Sequence, residues 1–463
     1  MQRSESLDAL RGLAILLMVL SGSIAFGEVM PGWMFHAQVP PPDHIFKPEL
    51  PGITWVDLVF PFFLFSMGAA IPLAMRKRMQ EQVSNGKVFV QVLTRFVLLA
   101  FFSIFTMHAR AWVMSDAPSS TEHLISIGCF VVLFLIYGQF KGILNVQTER
   151  VLKVLGWLLA LAFLAFFPFK EPGFSAQKSD VIIIVLANMA LFGTLIWWFT
   201  RNNPLWRLAL LPFIMAVFLA SKEEGSLNAL VFNWSPLPWL YKFYYLKYLF
   251  IVLPATFAGE WLFQRTADDK GNERSRRADG LAVVAVVLIL LVNLTGLYGR
   301  YLLANFIASV ILGAMLLYLS TKIKSSSASG LIRFIKAGVY LLMLALFFEA
   351  YEGGIKKDFS TYSYYFVCTG LAFLVMAAWT ILEDHGLFKG VMTFFAWNGK
   401  NPMVAYTAGN LFLIPLLKIT QTAGWLDSLN GNAVEGLLRG LIFTGIVSMI
   451  TVFCVRKNIF WKT

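Results

Sequence analysis

Two of the five histidines in this chain, His36 and His44, fall in one short stretch that also carries Asp43, Lys47 and Glu49 and runs on to Asp57. A neutral imidazole can accept a proton near pH 7 without special tuning, and a nearby carboxylate can hold it in position. His44 is therefore a candidate general base, with Asp57 as its orienting partner. Under the alternative reading, Asp57 balances the positive end of the helix that begins there. Four further groups combine residue types that do chemistry. Asp8 and Arg11 share a helix face and can pair, or Arg11 can hold an anionic group such as a phosphate. His108 and Arg110, followed by Asp116, Glu122 and His123, form either a solvated rim or part of a substrate site. Their spacing fits no zinc-ligand pattern, and no metal is expected. Glu349 and Glu352 flank Tyr351, an arrangement that suits an amino sugar: carboxylates take the ammonium and hydroxyls while the ring covers a sugar face. A hydrated loop is the other reading. Finally, Asn398-Gly399-Lys400-Asn401-Pro402 breaks a helix, which is expected to expose amides and one cation at the cytoplasmic membrane surface. Such breaks are tolerated mainly where they line a cavity.

The elements that carry these groups follow from composition. The 463 residues are 58% hydrophobic and only 14% charged, far from the usual soluble balance, so the solvent is a bilayer. Fourteen apolar runs approach the length needed to cross one: 10–26, 53–75, 88–107, 122–140, 151–168, 180–200, 205–221, 243–264, 279–299, 301–320, 336–350, 363–383, 402–418 and 437–456. The weakest, 205–221 and 336–350, could be re-entrant or tilted, which leaves 12–14 spans. With the N-terminus inside, 24 of the 38 Lys and Arg residues lie on inner segments, ten outside and four within spans. Positive loops stay in the cytoplasm, so the expected fold is an all-α polytopic transmembrane bundle, N-in and C-in. The net charge of +12 is then topological and needs no nucleic acid. Cys129, Cys368 and Cys454 lie in separate apolar runs and read as packing residues. The stretches 265–278 and 321–335 read as linkers, and residues 1–463 as a single integral-membrane domain whose first span is retained.

Ser6-Leu7-Asp8-Ala9-Leu10-Arg11-Gly12-Leu13-Ala14, then a loop histidine, then Gly52-Ile53-Thr54-Trp55-Val56-Asp57 through Gly68 resembles the heparan-alpha-glucosaminide N-acetyltransferase family. The bacterial relatives are catalogued as a domain of unknown function (DUF5009) or as N-acetylglucosamine-associated transporters. The match is detailed over residues 6–75; further on it rests on the many-span layout and the Asn401 segment. The resemblance implies that an acetyl group from cytosolic acetyl-CoA, a co-substrate, passes across the membrane to the amine of a glucosamine-type sugar or glycan. It places the catalytic histidine just before the Gly-x-Thr-x-x-Asp element, which here is His44. The interval is about three residues longer than in the lysosomal enzyme, leaving His36 as the second candidate. Ser21-Gly22 stands where those relatives have an asparagine. Arg11, Asn398, Lys400 and Asn401 are the expected CoA contacts, and Glu349, Glu352, His108 and Arg110 the expected acceptor contacts. A homodimer and a bacterial inner membrane are also implied. The competing function is a secondary transporter for N-acetylglucosamine or a related sugar, with Arg95, Lys247 and Glu260 as an intramembrane relay; a non-catalytic scaffold is the third reading.

Overall fold

The chain is described from a computed structural model covering residues 4–140, 142–263, 276–322 and 328–463. Arg3 and Lys141, and the parts of the two linker stretches at 264–275 and 323–327, lie outside the described residues.

Each apolar run becomes a helix because the backbone has no other partner in hydrocarbon. The helices are α1 (Glu5–Ser21), α2 (Trp55–Gln80), α3 (Asn85–His108), a short α4 (Ala111–Met114), α5 (Ser120–Tyr137), α6 (Val146–Phe166), α7 (Val181–Thr200), α8 (Pro204–Leu219), α9 (Leu227–Asn233) and α10 (Leu249–Phe263). They continue with α11 (Arg276–Tyr298), α12 (Leu302–Thr321), α13 (Ala328–Tyr351), α14 (Tyr362–Asp384), α15 (Lys389–Lys400), α16 (Pro402–Ala408), α17 (Ile414–Ile419), α18 (Ala423–Asp427) and α19 (Ala433–Arg456). A π turn at Gly409–Leu413 joins α16 to α17 into one rod. Among the described residues, ten helices are long and apolar enough to cross a membrane. Run 336–350 is no short segment: Arg333 and Lys336 interrupt its apolar pattern, but the helix extends through them to form the 24-residue α13. Run 205–221 does stay short, as the 16-residue α8.

Contacts between helix ends sort them into two sets. At one end, the backbone N–H groups of Glu5 and Ser6 donate to Glu383 (3.3 and 3.2 Å), and Trp198 Nε1 donates to Asn85 Oδ1 (2.9 Å). At this same end β1 (Gly138–Phe140) pairs antiparallel with β2 (Ile459–Trp461). At the other end Gly52 N–H donates to Ile355 O (2.8 Å), and Arg110 pairs with Asp180 (2.8 Å). The first set is the one expected from its positive loops to face the cytoplasm, and the start of α1 and the end of α19 both belong to it. α2 and α14 are buried almost all round, whereas α12 mostly faces lipid. Close approach of α1 and α15 depends on Gly12 and Gly399: a Cβ on either would meet the opposing carbonyl oxygen, of Phe395 or Asp8, at 1.8 or 1.9 Å. Small residues at such crossings let membrane helices touch backbone to backbone.

Sidedness is directly testable because all three cysteines are free and buried, so background labelling is low. An impermeant maleimide added outside intact membranes is expected to label Asp43→Cys and to reach Asn458→Cys only after permeabilisation. Both positions are exposed. The opposite pattern would invert the topology.

Candidate functional site

Thr54 and Asp57 form a reciprocal cap at the start of α2. The Thr54 hydroxyl accepts from Val56 N–H (3.2 Å), and Asp57 Oδ2 accepts from Thr54 N–H (2.9 Å). This is the geometry that a hydroxyl residue followed three positions later by a carboxylate produces at a helix N-terminus. The cap is also stapled to the preceding loop: Thr54 Oγ1 donates to Phe35 O (2.6 Å) and Ala37 N–H donates to Asp57 Oδ2 (3.2 Å). Gly52 supplies the turn into the helix with φ 121°, a conformation that disfavours side chains. The loop thus delivers His36, whose Nδ1 lies 2.7 Å from Asp57 Oδ1. Asp57 is fully buried and receives only donors, so it is an ionised acceptor. Nδ1 therefore carries the hydrogen, which in the neutral ring leaves the lone pair on Nε2. The His36 side chain is 37% exposed, so the ring is open to solvent at the end of the bundle where Gly52 meets Ile355. Tyr364 on α14 donates its hydroxyl to the Asp57 carbonyl (2.8 Å), fixing the dyad to the bundle's most buried helix.

The expected pairing of Asp57 with His44 does not form. His44 sits at φ 49° after a turn in which its N–H bonds to Pro40 O (3.1 Å). Its Nε2 accepts from Gly27 N–H (3.0 Å), and its ring packs edge-on to Phe26 and Phe35 at 5.4 and 4.4 Å. The lone pair a base would need is consumed in holding the loop. The proline-rich reversal turns the histidine nearer in sequence away from Asp57 and leaves the more distant one beside it.

The residues expected to hold CoA are also engaged internally. Arg11 donates to Asp8 Oδ1 (3.3 Å), Gly399 O (3.4 Å) and Ser66 O (3.3 Å), tying α1 to α15 and α2. Asn401 is buried and makes two bonds to β2, donating to Ile459 O and accepting from Trp461 N–H, both at 3.1 Å. Asn398 is buried too and donates to Phe394 O (3.0 Å); Lys400 is half-buried beside it. Nor does the helix break expose its amides, since Asn398 and Asn401 are both fully buried. Thr393 bonds Glu5 (2.7 Å), Gly399 meets Asp8 and Gly12, and Ala405 packs with Ile15 and Leu16. α15 and α16 therefore run alongside α1 in the same direction, and the break sits well inside the bundle. Just beyond it lies an apolar cavity of about 30 Å³, bounded by Ile15, Met18, Phe60, Phe63, Met403 and Tyr406 among others. Phe60 is the residue one turn inward from Asp57 on α2.

The four residues expected to bind acceptor are dispersed. Glu349 pairs with Arg300 (2.6 Å), and both oxygens of Glu352 accept from the Tyr362 and Ser363 N–H groups (2.7 Å each), capping α14. His108 is buried, its Nδ1 donating to Ile104 O (2.9 Å), between Phe169 and Phe174. Arg110 is bound to Asp180, which also accepts from Tyr406 Oη (2.8 Å). Among the described residues, none of the four contacts His36. The suggested relay is equally unjoined: Lys247 donates to Ser360 O (2.7 Å), Glu260 is held by Arg207 and Trp197 (2.8 and 2.7 Å), and Arg95 is exposed on the bundle surface.

One residue at the site escaped the sequence reading. Lys357 Nζ lies 3.0 and 3.2 Å from the two ring nitrogens of His36. The available signal was weak: Lys356-Lys357 is a basic doublet on the side where positive residues are scarce.

In comparisons with known proteins, the family model described as Domain of unknown function (DUF5009) matches residues 3–262. That is more than half of the chain, which therefore belongs to this family. No curated protein matches the chain.

Proposed function

We propose that this member of the DUF5009 family is an integral-membrane acetyltransferase that uses His36, oriented by Asp57, to acylate the amine of a glucosamine-type sugar on the extracytoplasmic side. The observation that carries the reading is the dyad itself: a buried, fully bonded carboxylate holding a half-exposed imidazole whose outer nitrogen meets only the Lys357 ammonium among the described residues. Base, orienting group and access to the reacting proton are what general-base acyl transfer requires. The resemblance over residues 6–75 supplies the donor and acceptor classes.

In this reading the amine attacks the thioester carbonyl, its proton passes to Nε2, and collapse expels the CoA thiolate, which recovers that proton. The anionic head of CoA stays at the inner end, where Lys400, Lys457 and Arg456, stacked over Trp397 at 4.6 Å, supply cations. The acyl end reaches His36 past Phe60 and Tyr406, where the cavity of about 30 Å³ has to widen to admit it. Arg11 has no part in donor binding, because its guanidinium is engaged between helices.

The test is CoA binding to purified, detergent-solubilised protein, followed by mass spectrometry of glucosamine incubated with protein and acetyl-CoA. Saturable binding and an N-acetylated sugar are expected. A folded sample that binds no CoA would overturn the proposal, and N-acetylglucosamine uptake into proteoliposomes would then establish the transporter in its place.

A further inference from the structure

We propose that Lys357 stabilises the oxyanion that forms when an acyl carbonyl is attacked at His36, a role that rests on the acyl-transfer reading above. The position of its ammonium is the main argument. Two ring nitrogens at nearly equal distances, 3.0 and 3.2 Å, place Nζ against the ring rather than in line with either lone pair. A lysine serving only to neutralise Asp57 would bind the carboxylate. Here the Asp57 oxygens are taken by His36, Ala37 and Thr54, and the ammonium rests against the ring beside Nε2 instead.

The loop that carries Lys357 is braced on both sides. Ile355 O accepts from Gly52 N–H (2.8 Å), and Thr361 N–H donates to Lys356 O (3.0 Å) while Lys356 N–H donates to Thr361 Oγ1 (3.0 Å). The same Gly52 that turns the chain into α2 therefore anchors the segment bearing the cation, so dyad and ammonium are positioned by one contact. The contrast with Lys247 is informative. That lysine also lies at the outer end, but it is bonded to Ser360 O and enclosed by Phe218, Tyr244 and Tyr362. Lys357 has polar contacts only to His36 among the described residues.

When the carbonyl carbon is attacked, the C=O π pair moves onto oxygen, and a preorganised cation at that point lowers the barrier. On collapse the pair re-forms C=O and the C–S bond breaks, sulfur leaving with its electrons. If Nε2 itself is the attacking atom, the acyl group rests on the imidazole. The amine then adds, the same oxygen again takes the pair, and the C–N bond to His36 breaks. The surplus amine proton ends on the thiolate. Lys357 serves the same oxygen in both sequences.

The experiment compares wild type, K357M and K357R in two assays. In transferase assays K357M is expected to lose about 100- to 1,000-fold in kcat, the range for removal of one oxyanion donor, with acceptor KM little changed and partial recovery in K357R. A raised KM at unchanged kcat would overturn the role. The second assay needs neither donor nor acceptor: the pH-independent rate at which diethyl pyrocarbonate acylates His36, located by mass spectrometry, with the other four histidines as internal controls for folding. This rate is expected to fall at least about ten-fold in K357M. An unchanged rate overturns the role of Lys357 and leaves the acyl-transfer reading standing. Absence of transferase activity in wild-type protein overturns that reading instead.

Discussion

His36→Ala is expected to abolish acetyl transfer, lowering kcat by about 10²- to 10⁴-fold, the usual contribution of a positioned acid–base group, while CoA binding persists. His44→Ala is expected to keep kcat within about ten-fold and to lose stability instead, because the half-buried Gly27 N–H loses its acceptor, at a cost of about 0.5–1.5 kcal/mol. The two substitutions separate because the histidines hold their lone pairs differently. Nε2 of His44 is spent on Gly27, whereas that of His36 is the outward nitrogen of a ring clamped at Nδ1. Asp57→Asn tests the clamp. An amide in that position can present its donor to Nδ1 and so favour the wrong tautomer, an exchange that costs about 10⁴-fold where a catalytic histidine depends on its carboxylate. Since Asp57 also caps α2, the variant's unfolding must be measured beside its activity. Full turnover in His36→Ala with loss in His44→Ala would return the catalytic role to the histidine nearer in sequence.

Span placement was legible because it depends on a local property, apolar length, while the expected sidedness follows from where Lys and Arg accumulate. α13 shows the limit of that reading, since two charged residues in its inner half shortened the apparent run without ending the helix. The dyad was legible in kind but not in assignment. Gly52, Thr54 and Asp57 mark a turn and a cap, so a carboxylate poised at the outer mouth follows from residue types alone. Which histidine meets it depends on the path of an irregular loop, whose register is set by contacts such as Gly52 to Ile355, some 300 residues apart in sequence. Lys357 was invisible for the same reason. The polar residues expected to bind ligands illustrate a different principle. Polar groups near span ends must first satisfy helix termini and buried charges. Glu352, Arg110 and Asn401 are each consumed in that way, and sequence does not distinguish a carboxylate that caps α14 from one that greets a sugar.

Arg207 lies in the first turn of α8, and its side chain is completely buried. It donates to Glu260 Oε1 and Thr256 Oγ1 (2.8 Å each) and lies over the Phe257 ring at 4.6 Å. Trp197 Nε1 adds a bond to the same Glu260 oxygen (2.7 Å), so one ion pair joins α7, α8 and α10. The two partners differ in what they can do when left alone. Arginine cannot shed its proton, so Glu260→Ala strands a permanent charge inside the bundle and is expected to cost about 3–5 kcal/mol. The Glu260 side chain is 24% exposed and can hydrate or take up a proton, so Arg207→Met is expected to cost less, about 1–2 kcal/mol. An apolar pair, R207M/E260L, should lie closer to wild type than Glu260→Ala does, since replacing both members of a buried pair removes the desolvation cost along with the attraction. Equilibrium unfolding in mixed detergent micelles, read across the three variants, gives the order. If Arg207→Met proves the more damaging single change, the buried guanidinium contributes mainly through its packing against Phe257. If both single variants unfold like wild type, the pair does not bind these helices together, and Glu260 is free to serve the relay that a transporter would need.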